Sequence, residues 1–312
     1  MNTAGKLSAY GAALALVAGG GWAIGTAVGP FTGPAGAHGA EDAGHGDSNS
    51  GTVAETAQPD QPAGLASSRG GYTLTPTSTT LRAGTTNPFS FRIIGPDGQP
   101  VTGFDVEHEK RMHLIVVRRD TAHYEHVHPE MSQDGTWSVP LRLPQAGSYR
   151  AFADFAPTGG EAMTLGVDLA APGDFQPATY APSLMATTDG YQVRLDGELI
   201  PGQTSKVALS VYKDGREVAD LQPYLGAYGH LVALRQGDLA YLHVHPEGVP
   251  GDGRTPPGPT VTFDVVVPSA GAYRLFLDFQ HEGQVRTAEF TVPTTGGAAH
   301  APTTHNGHGG HG

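Results

Sequence analysis

The chain has no cysteine among its 312 residues, so neither a disulfide framework nor a thiolate metal site is available to it. A blue-copper electron-transfer site, which requires a cysteine thiolate, is thereby excluded. The five methionines are too few for a methionine-rich Cu(I) carrier. A formal net charge of −12, without any basic patch, excludes nucleic acid as a partner. Any bound metal must therefore be held by nitrogen and oxygen atoms.

Glycine and proline are abundant instead, with 45 and 25 residues, beside many Thr, Val and Tyr. Asp-Gly, Pro-Gly and Ala-Gly turn signals divide the chain into short strand-like runs at intervals of roughly 8 to 12 residues. This pattern predicts an all-β protein with two tandem immunoglobulin-like or cupredoxin-like β-sandwich domains. An N-terminal hydrophobic helix and disordered tails that contain histidine complete the predicted architecture.

A pattern of three histidines occurs twice, with the spacing His-x12-His-x-His followed by Pro-Glu. Its members are His113, His126 and His128 in the first copy and, 117 residues later, His230, His243 and His245 in the second. A run of the form Gly-x-Tyr-Arg-x-Phe-x-Asp-Phe follows in both copies, beginning at Gly147 and at Gly271. The chain therefore contains a duplicated domain.

The repeat and the composition together predict the organisation of the chain. We expect a signal anchor or transmembrane helix in residues 1–30, a disordered linker in 31–69, the first β-sandwich in 70–172, a short linker in 173–182, the second β-sandwich in 183–293 and a disordered histidine-rich tail in 294–312.

The N-terminal segment has one positive charge, at Lys6, and then no charged residue from Ser8 to Val28. An uncharged stretch of about 20 residues is long enough to span a bilayer. We expect an uncleaved anchor in the cell membrane, with the rest of the chain outside the cytoplasm. The alternative is a cleaved signal peptide and a secreted protein.

The first histidine pattern predicts a β-hairpin. Residues two apart on a strand point to the same face, so His126 and His128 face one way. The β-branched run that begins at His113 reads as the partner strand. A symmetric antiparallel register then pairs Ile115 with His126 and His113 with His128. All three imidazoles would converge at the rim of a hydrophobic interior, where a divalent metal can satisfy their nitrogens.

The second copy predicts the same hairpin. Its register would pair Leu234 with Tyr241, Val232 with His243 and His230 with His245. We therefore expect one three-histidine site per domain, and nitrogen ligands without thiolate favour Cu(II) or Zn(II).

Two aspartates in the repeated run are candidates for a fourth ligand or for the outer shell of the site. They are Asp154 and Asp278; water could equally complete the coordination, and the carboxylates could instead pair with Arg150 and Arg274. Three other histidines, His108, His123 and His281, occur in one copy only. We expect these three to be exposed, although His108 or His123 could modulate the first site.

The histidine patterns and the shared Gly-x-Tyr-Arg-x-Phe-x-Asp-Phe run resemble those of bacterial anchored or secreted proteins with tandem His-Val-His-Pro β-sandwich domains. These proteins are loosely described as heavy-metal-binding or YtkA-like. The resemblance covers about residues 70–293, and the His-Val-His-Pro element is its most specific part. It implies extracytoplasmic metal handling, with the repeated histidines as the matching positions.

We therefore predict a divalent transition-metal binding protein for metal buffering, delivery or resistance. Histidines in the tails would capture the ion, and a metal transporter or acceptor protein is the expected partner besides the membrane. The alternative is a structural or interaction pair of sandwiches whose histidines are hydrogen-bonded core or pH-sensing residues. A zinc hydrolase is less favoured, because the nearest candidate bases, Glu130 and Glu247, would lie outside the histidine face; we expect no enzymatic activity.

Overall fold

The computed structural model describes residues 61–242 and 244–295. These residues form β-strands and turns without an α-helix, which confirms the predicted all-β class. None of the described segments is a helix of the length and apolar character that crossing a bilayer requires. The predicted N-terminal helix, most of the predicted linker and almost all of the C-terminal tail lie outside the described residues.

Each copy of the repeat folds as a separate set of strands. The first comprises β1 (Ser68–Arg69), β2 (Tyr72–Pro76), β3 (Thr86–Ile94), β4 (His113–Arg118), β5 (Glu125–Val127), β6 (Glu130–Met131), β7 (Trp137–Arg142), β8 (Gly147–Phe155) and β9 (Met163–Ala171). The second comprises β10 (Met185–Thr188), β11 (Tyr191–Asp196), β12 (Thr204–Lys213), β13 (Arg216–Glu217), β14 (His230–Arg235), β15 (Tyr241–Leu242), β16 (His245–Pro246), β17 (Thr260–Val266), β18 (Ala272–His281) and β19 (Gln284–Pro293).

Two antiparallel sheets make up each domain. In the first domain their strand orders are β1-β2-β3-β7-β6 and β5-β4-β8-β9. In the second the orders are β10-β11-β12-β17-β16, with β13 beside β12, and β15-β14-β18-β19. The two predicted tandem β-sandwiches are therefore present, and a hairpin, β4 with β5 or β14 with β15, forms one edge of the four-stranded sheet of each.

Strands β8 and β18 show why these sequences form sandwiches. Tyr149 and the alternate residues after it enter the core of the first domain, and Tyr273 begins the same pattern in the second. Each tyrosine hydroxyl donates to a carbonyl four residues upstream, at 2.7 Å to Gln145 and at 2.8 Å to Ser269. Both are the tyrosine corners that the Gly-x-Tyr turns predict.

The opposite face of each four-stranded sheet is covered by the other domain. A third cluster of buried residues combines side chains from both copies: Ile115, Val117, Phe152, Val232, Leu234, Leu239, Tyr241 and Phe276, with Ala63 and Tyr124 packed against them. The rings of Tyr124 and Phe276 stack across this interface at 4.1 Å. The hydrophobic interior beside the histidines is thus an interface between domains, distinct from either sandwich core.

Residues 61–69 belong to the folded unit, although they fall within the predicted linker. The carbonyl of Gly64 accepts hydrogen bonds from two guanidinium nitrogens of buried Arg150, at 3.0 and 2.7 Å. The Gly64 backbone has φ +75°, and an added Cβ would lie 2.5 Å from the ring of Phe152. The segment thus adds acceptors to a buried guanidinium group that the sheet itself bonds only through Asp168 and the Gly166 carbonyl.

Candidate metal centre

The hairpin of β4 and β5 brings the first three histidines together. Ile115 pairs with His126 across this hairpin, which confirms the predicted register. His128 follows β5 directly. One ring nitrogen from each of His113, His126 and His128 lies within 4.8 Å of the others, so these residues form a triad that could hold a metal ion. Their ring centroids are 4.8 to 5.3 Å apart.

The hydrogen bonds of the triad fix which nitrogens carry protons. Nε2 of His113 lies 3.0 Å from the carbonyl oxygen of Glu107, and Nδ1 of His126 lies 2.8 Å from Oδ2 of Asp278. Both oxygens can only accept, so each of these nitrogens is the donor. The remaining nitrogens, Nδ1 of His113 and Nε2 of His126, face each other at 3.1 Å. In the neutral imidazoles, two lone pairs therefore point at one another.

The third member of the triad also has a nitrogen in need of a partner. Nε2 of His128 is buried and makes no hydrogen bond among the described residues. Burial lowers the pKa of His128 to about 3 and that of His113 to about 4, with neighbouring His126 lowering both. Both rings are neutral at pH 7, which is the state that binds metal ions.

Asp278 supports the triad from the other domain. It lies on β18, and its side chain is 3% exposed where it bonds His126. Its second oxygen accepts a hydrogen bond from Thr287 at 2.6 Å. Arg274, its predicted alternative partner, pairs instead with Glu289. Asp278 thus occupies the outer-shell position that carboxylates commonly take behind a metal-binding histidine.

Asp154 has the corresponding place on β8, opposite His113 in the register. Its oxygens accept from Thr164 at 2.9 Å and from the hydroxyl of Tyr241, in the other domain, at 3.3 Å. Arg150 bonds Asp168 and not this carboxylate. Both aspartates therefore bridge the domains, and neither forms the predicted ion pair with the arginine of its own strand.

The second copy places its first histidine against the first triad. The ring of His230 lies 4.9 Å from that of His126, and 5.7 Å from that of His113 with the two planes parallel within 4°. The predicted pairing of Leu234 with Tyr241 is present.

The other two predicted histidines of the second copy are less fully described. His245 lies on β16, opposite Asp264 of β17, and is exposed. His243 lies outside the described residues, so the site of His230, His243 and His245 stays a prediction. Of the second set, His230 lies beside His113 and His126 of the first triad.

His108 was expected to be exposed, with a possible influence on the first site, and it is half-buried beside the histidine cluster. Its ring makes edge contacts with His113 at 6.1 Å and with His230 at 5.7 Å. It lies in a tight turn with φ +47°, and the equivalent Leu225 has φ +55° in the second copy. Spacing gave no signal for His108, because the repeat has leucine at this position.

A cavity of about 370 Å³ opens beside the cluster. Glu107, His108, His113, Asp154 and His245 are among its lining residues. Residues of both domains therefore line one open space beside the cluster, which a small ligand or water can enter.

Three other predictions about single residues can be compared with the structure. His281 is buried, where exposure was expected, and its nitrogens bond Tyr191 at 2.7 Å and Asp220 at 3.0 Å. His123 is half-buried in the turn at the far end of the hairpin. Glu247 pairs with Lys206 on the surface.

Comparisons with solved structures find distant likenesses. The adhesin FdeC of Escherichia coli is 11% identical with a TM-score of 0.24, and the match covers 73% of this chain and 65% of that one. A putative membrane anchored protein from Corynebacterium diphtheriae is 11% identical with a TM-score of 0.22, covering 73% and 58%. The chain spans less than two thirds of each of these proteins, and TM-scores this low support no functional inference.

A search among curated proteins finds no match. A family model does match, in two segments that correspond to the two sandwiches, residues 66–173 and 186–296. The tandem organisation implied by the sequence resemblance is confirmed, whereas none of these matches carries a heavy-metal or YtkA-like name. The matched segments cover more than half of the chain, so the protein belongs to the family described as Domain of unknown function (DUF8832).

Proposed function

We propose that the protein binds a divalent transition metal, Cu(II) or Zn(II), through His113, His126 and His128 at the interface between its domains. The observation that carries the proposal is the 3.1 Å separation of two imidazole nitrogens whose lone pairs face each other. Without an ion or a proton between them, this contact is repulsive. An ion that accepts both lone pairs turns it into a favourable interaction.

The separation agrees with shared coordination. At a Zn–N distance of about 2.0–2.1 Å, two nitrogens of a tetrahedral site lie about 3.3 Å apart. In a square-planar Cu(II) site with similar bond lengths, adjacent nitrogens lie about 2.9 Å apart. The observed 3.1 Å falls between these two values. The buried Nε2 of His128 supplies a third donor, and water or another ligand would complete the set.

The surroundings of the triad favour an ion with affinity for imidazole. The carboxylate of Asp278 orients His126 and makes its other nitrogen a stronger donor. Burial keeps His113 and His128 neutral, so protons compete weakly with the ion at pH 7. The chain offers no thiolate, which favours Zn(II) or Cu(II) over Cu(I).

A role in metal buffering, delivery or resistance outside the cytoplasm follows from the sequence. Histidines outside the folded domains would capture the ion and pass it to the buried triad: His38, His45, His300, His305, His308 and His311. The uncharged N-terminal segment would hold the protein at the membrane, near a metal transporter or acceptor protein. A secreted form would meet the same metal in the same compartment.

One observation favours a second candidate function, in which the histidines only fasten the domains together. The bond between His126 and Asp278 crosses the interface and is almost fully buried, with side-chain exposures of 2% and 3%. In this case the cluster is structural and the protein serves as a rigid pair of sandwiches for interaction with another molecule.

Isothermal titration calorimetry with Zn(II), Cu(II) and Ni(II) distinguishes the two functions. The full chain is used, with the six histidines of residues 1–60 and 296–312 replaced by Asn so that only the folded part binds. We expect Zn(II) or Cu(II) binding that His126→Ala or His128→Ala weakens at least a hundredfold. His123→Ala, at the far end of the hairpin, is the control and should leave the affinity unchanged. Binding that survives both cluster substitutions, or no binding at all, would favour the structural function.

A further inference from the structure

A short strap of backbone, residues 62–66, joins the two domains beside the metal site. On one side it runs along β9, the edge strand of the first domain's four-stranded sheet, and pairs with the backbone of Thr164 and Gly166 at 3.0 and 2.9 Å. On its other side the Ala63 carbonyl accepts a hydrogen bond at 3.0 Å from the amide of Tyr241, on the edge strand β15 of the second domain. The strap therefore bridges the edges of two sheets that belong to different domains.

The two domains differ at the position where the strap lies. Arg150 and Arg274 are equivalent residues of the repeated run. The residue opposite the central phenylalanine of this run is Gly166 in the first domain and Glu289 in the second. Glu289 pairs with Arg274. Arg150, besides its ion pair with a carboxylate of β9, donates to the Gly64 carbonyl of the strap at 3.0 and 2.7 Å. In the first domain the strap thus provides an acceptor where the second domain provides a carboxylate.

Two glycines make room for the strap. A Cβ added to Gly166 would lie 2.1 Å from the Gly64 carbonyl oxygen. A Cβ added to Gly64, whose φ is +75°, would lie 2.5 Å from the ring of Phe152 in the domain interface. A side chain at either position is therefore incompatible with the strap in its present place.

The strap contacts both the domain interface and the surroundings of the triad. Ala63 packs against the buried side chains that the two domains share, and it lines the cavity that reaches His113. The docked arrangement of the domains in turn holds Asp278 of the second domain against His126 of the first. Loosening the interface would therefore separate the triad from its outer-shell carboxylate.

We infer that residues 62–66 are a latch on the domain interface: the seated strap keeps the domains docked around the triad, and its withdrawal opens the interface and lets the ion leave. The effect on the ion rests on the proposed binding at the triad, whereas the effect on docking does not. The strap follows the N-terminal segment that is proposed to hold the protein at the membrane. A metal acceptor protein that binds this segment and draws the strap out would release the ion at the point of delivery.

Gly166→Glu tests the latch, because it gives the first domain the residue that the second has at the matching position. The new side chain should displace the strap and offer Arg150 a carboxylate, so the sandwich should stay folded. Gly64→Ala displaces the strap through a different clash, and it carries the test alone if Gly166→Glu does not fold. Ala170→Glu is the matched control, since it adds the same charge at an exposed position of β9 beyond the strap.

Docking is measured on the metal-free full chain by pulsed electron paramagnetic resonance between two spin labels. Because the chain has no cysteine, labels at Thr75→Cys and Gln192→Cys, exposed positions of β2 and β11, report a single distance between the domains. We expect a narrow distance distribution in the parent and in Ala170→Glu, and a broader one in Gly166→Glu and Gly64→Ala.

Release of the ion is measured by stopped-flow transfer of Zn(II) to a chelator from the chain with Asn at the six tail histidines. Both glycine variants should transfer Zn(II) about tenfold faster than the parent, which corresponds to about 1.4 kcal/mol of docking free energy. The control Ala170→Glu should transfer it at the rate of the parent.

The possible results separate the latch from the proposed function. A narrow distance distribution in both glycine variants, or equal broadening in Ala170→Glu, would overturn the latch. A broader distribution with unchanged Zn(II) transfer would overturn its control of the ion. Broadening in the glycine variants of a chain that binds no Zn(II) would support the latch on the domains and contradict the proposed metal site.

Discussion

Asp278 connects the two domains to the proposed metal site, and its replacement by Asn gives the sharpest prediction about how the site works. The side chain of Asn has nearly the same shape and can still accept a hydrogen bond from Thr287, so the fold should be retained. The substitution removes the negative charge 2.8 Å from Nδ1 of His126. That charge both orients the ring and strengthens the donor nitrogen on its other side.

The expected loss of metal affinity is about 10- to 100-fold, the range typical for removal of an outer-shell partner. This corresponds to about 1.4–2.7 kcal/mol of binding free energy. The upper part of the range applies here, because the pair is almost completely buried and solvent screens it little.

Calorimetry with Zn(II) on the chain with Asn at the tail histidines measures this loss directly. Asp220→Asn is the matched control, since Asp220 bonds His281 of the same domain at 3.0 Å outside the cluster. The affinity of this control should equal that of the parent. An affinity of Asp278→Asn within twofold of the parent, or an equal loss in both variants, would refute the role given to the cross-domain carboxylate.

Three further predictions concern stability, packing and pH. The metal-free protein should lose stability as pH falls from about 6.5 towards 4, because His113 and His128 are held neutral in the fold, with pKa values of about 4 and 3, but take up protons near pH 6.5 when unfolded. The free energy of unfolding should fall by up to about 1.4 kcal/mol per pH unit for each histidine. Chemical denaturation of His128→Ala should show a weaker dependence on pH than the parent, and an equal dependence would contradict the role given to His128. Phe276→Ala should lower the free energy of unfolding, measured by urea titration, by about 3–5 kcal/mol, because this ring is fully buried and stacks on Tyr124. A loss below about 1 kcal/mol would contradict tight packing of the domain interface. At about pH 5.5 Zn(II) should still bind the triad of the tail-substituted chain, because burial holds the pKa of His113 at about 4 and that of His128 at about 3. Calorimetry that shows no binding at this pH would contradict this.

Local signals in the sequence predict much of the fold. The β-branched run after His113 and the polar turn that follows determine the hairpin, so the pairing of Ile115 with His126 could be derived from residues close in the chain. The Gly-x-Tyr turns predict both tyrosine corners for the same reason.

The packing of the domains against each other could not be derived in this way. His126 and Asp278 are 152 residues apart, and their contact depends on how two complete sandwiches dock. A signal was nevertheless present, because Phe152 and Phe276 stand between an arginine and an aspartate on the strand face opposite the sandwich core. A large apolar ring at the same position in both copies indicates that this face is buried.

Anomalous X-ray diffraction from crystals of the Zn(II)-loaded protein tests the central claim most directly. We expect a zinc peak about 2.0–2.1 Å from Nδ1 of His113, Nε2 of His126 and Nε2 of His128, with Asp278 still bonded to His126 from the neighbouring domain. Crystals that contain zinc elsewhere but show no peak among these three rings would contradict the claim that the domain interface is a metal centre.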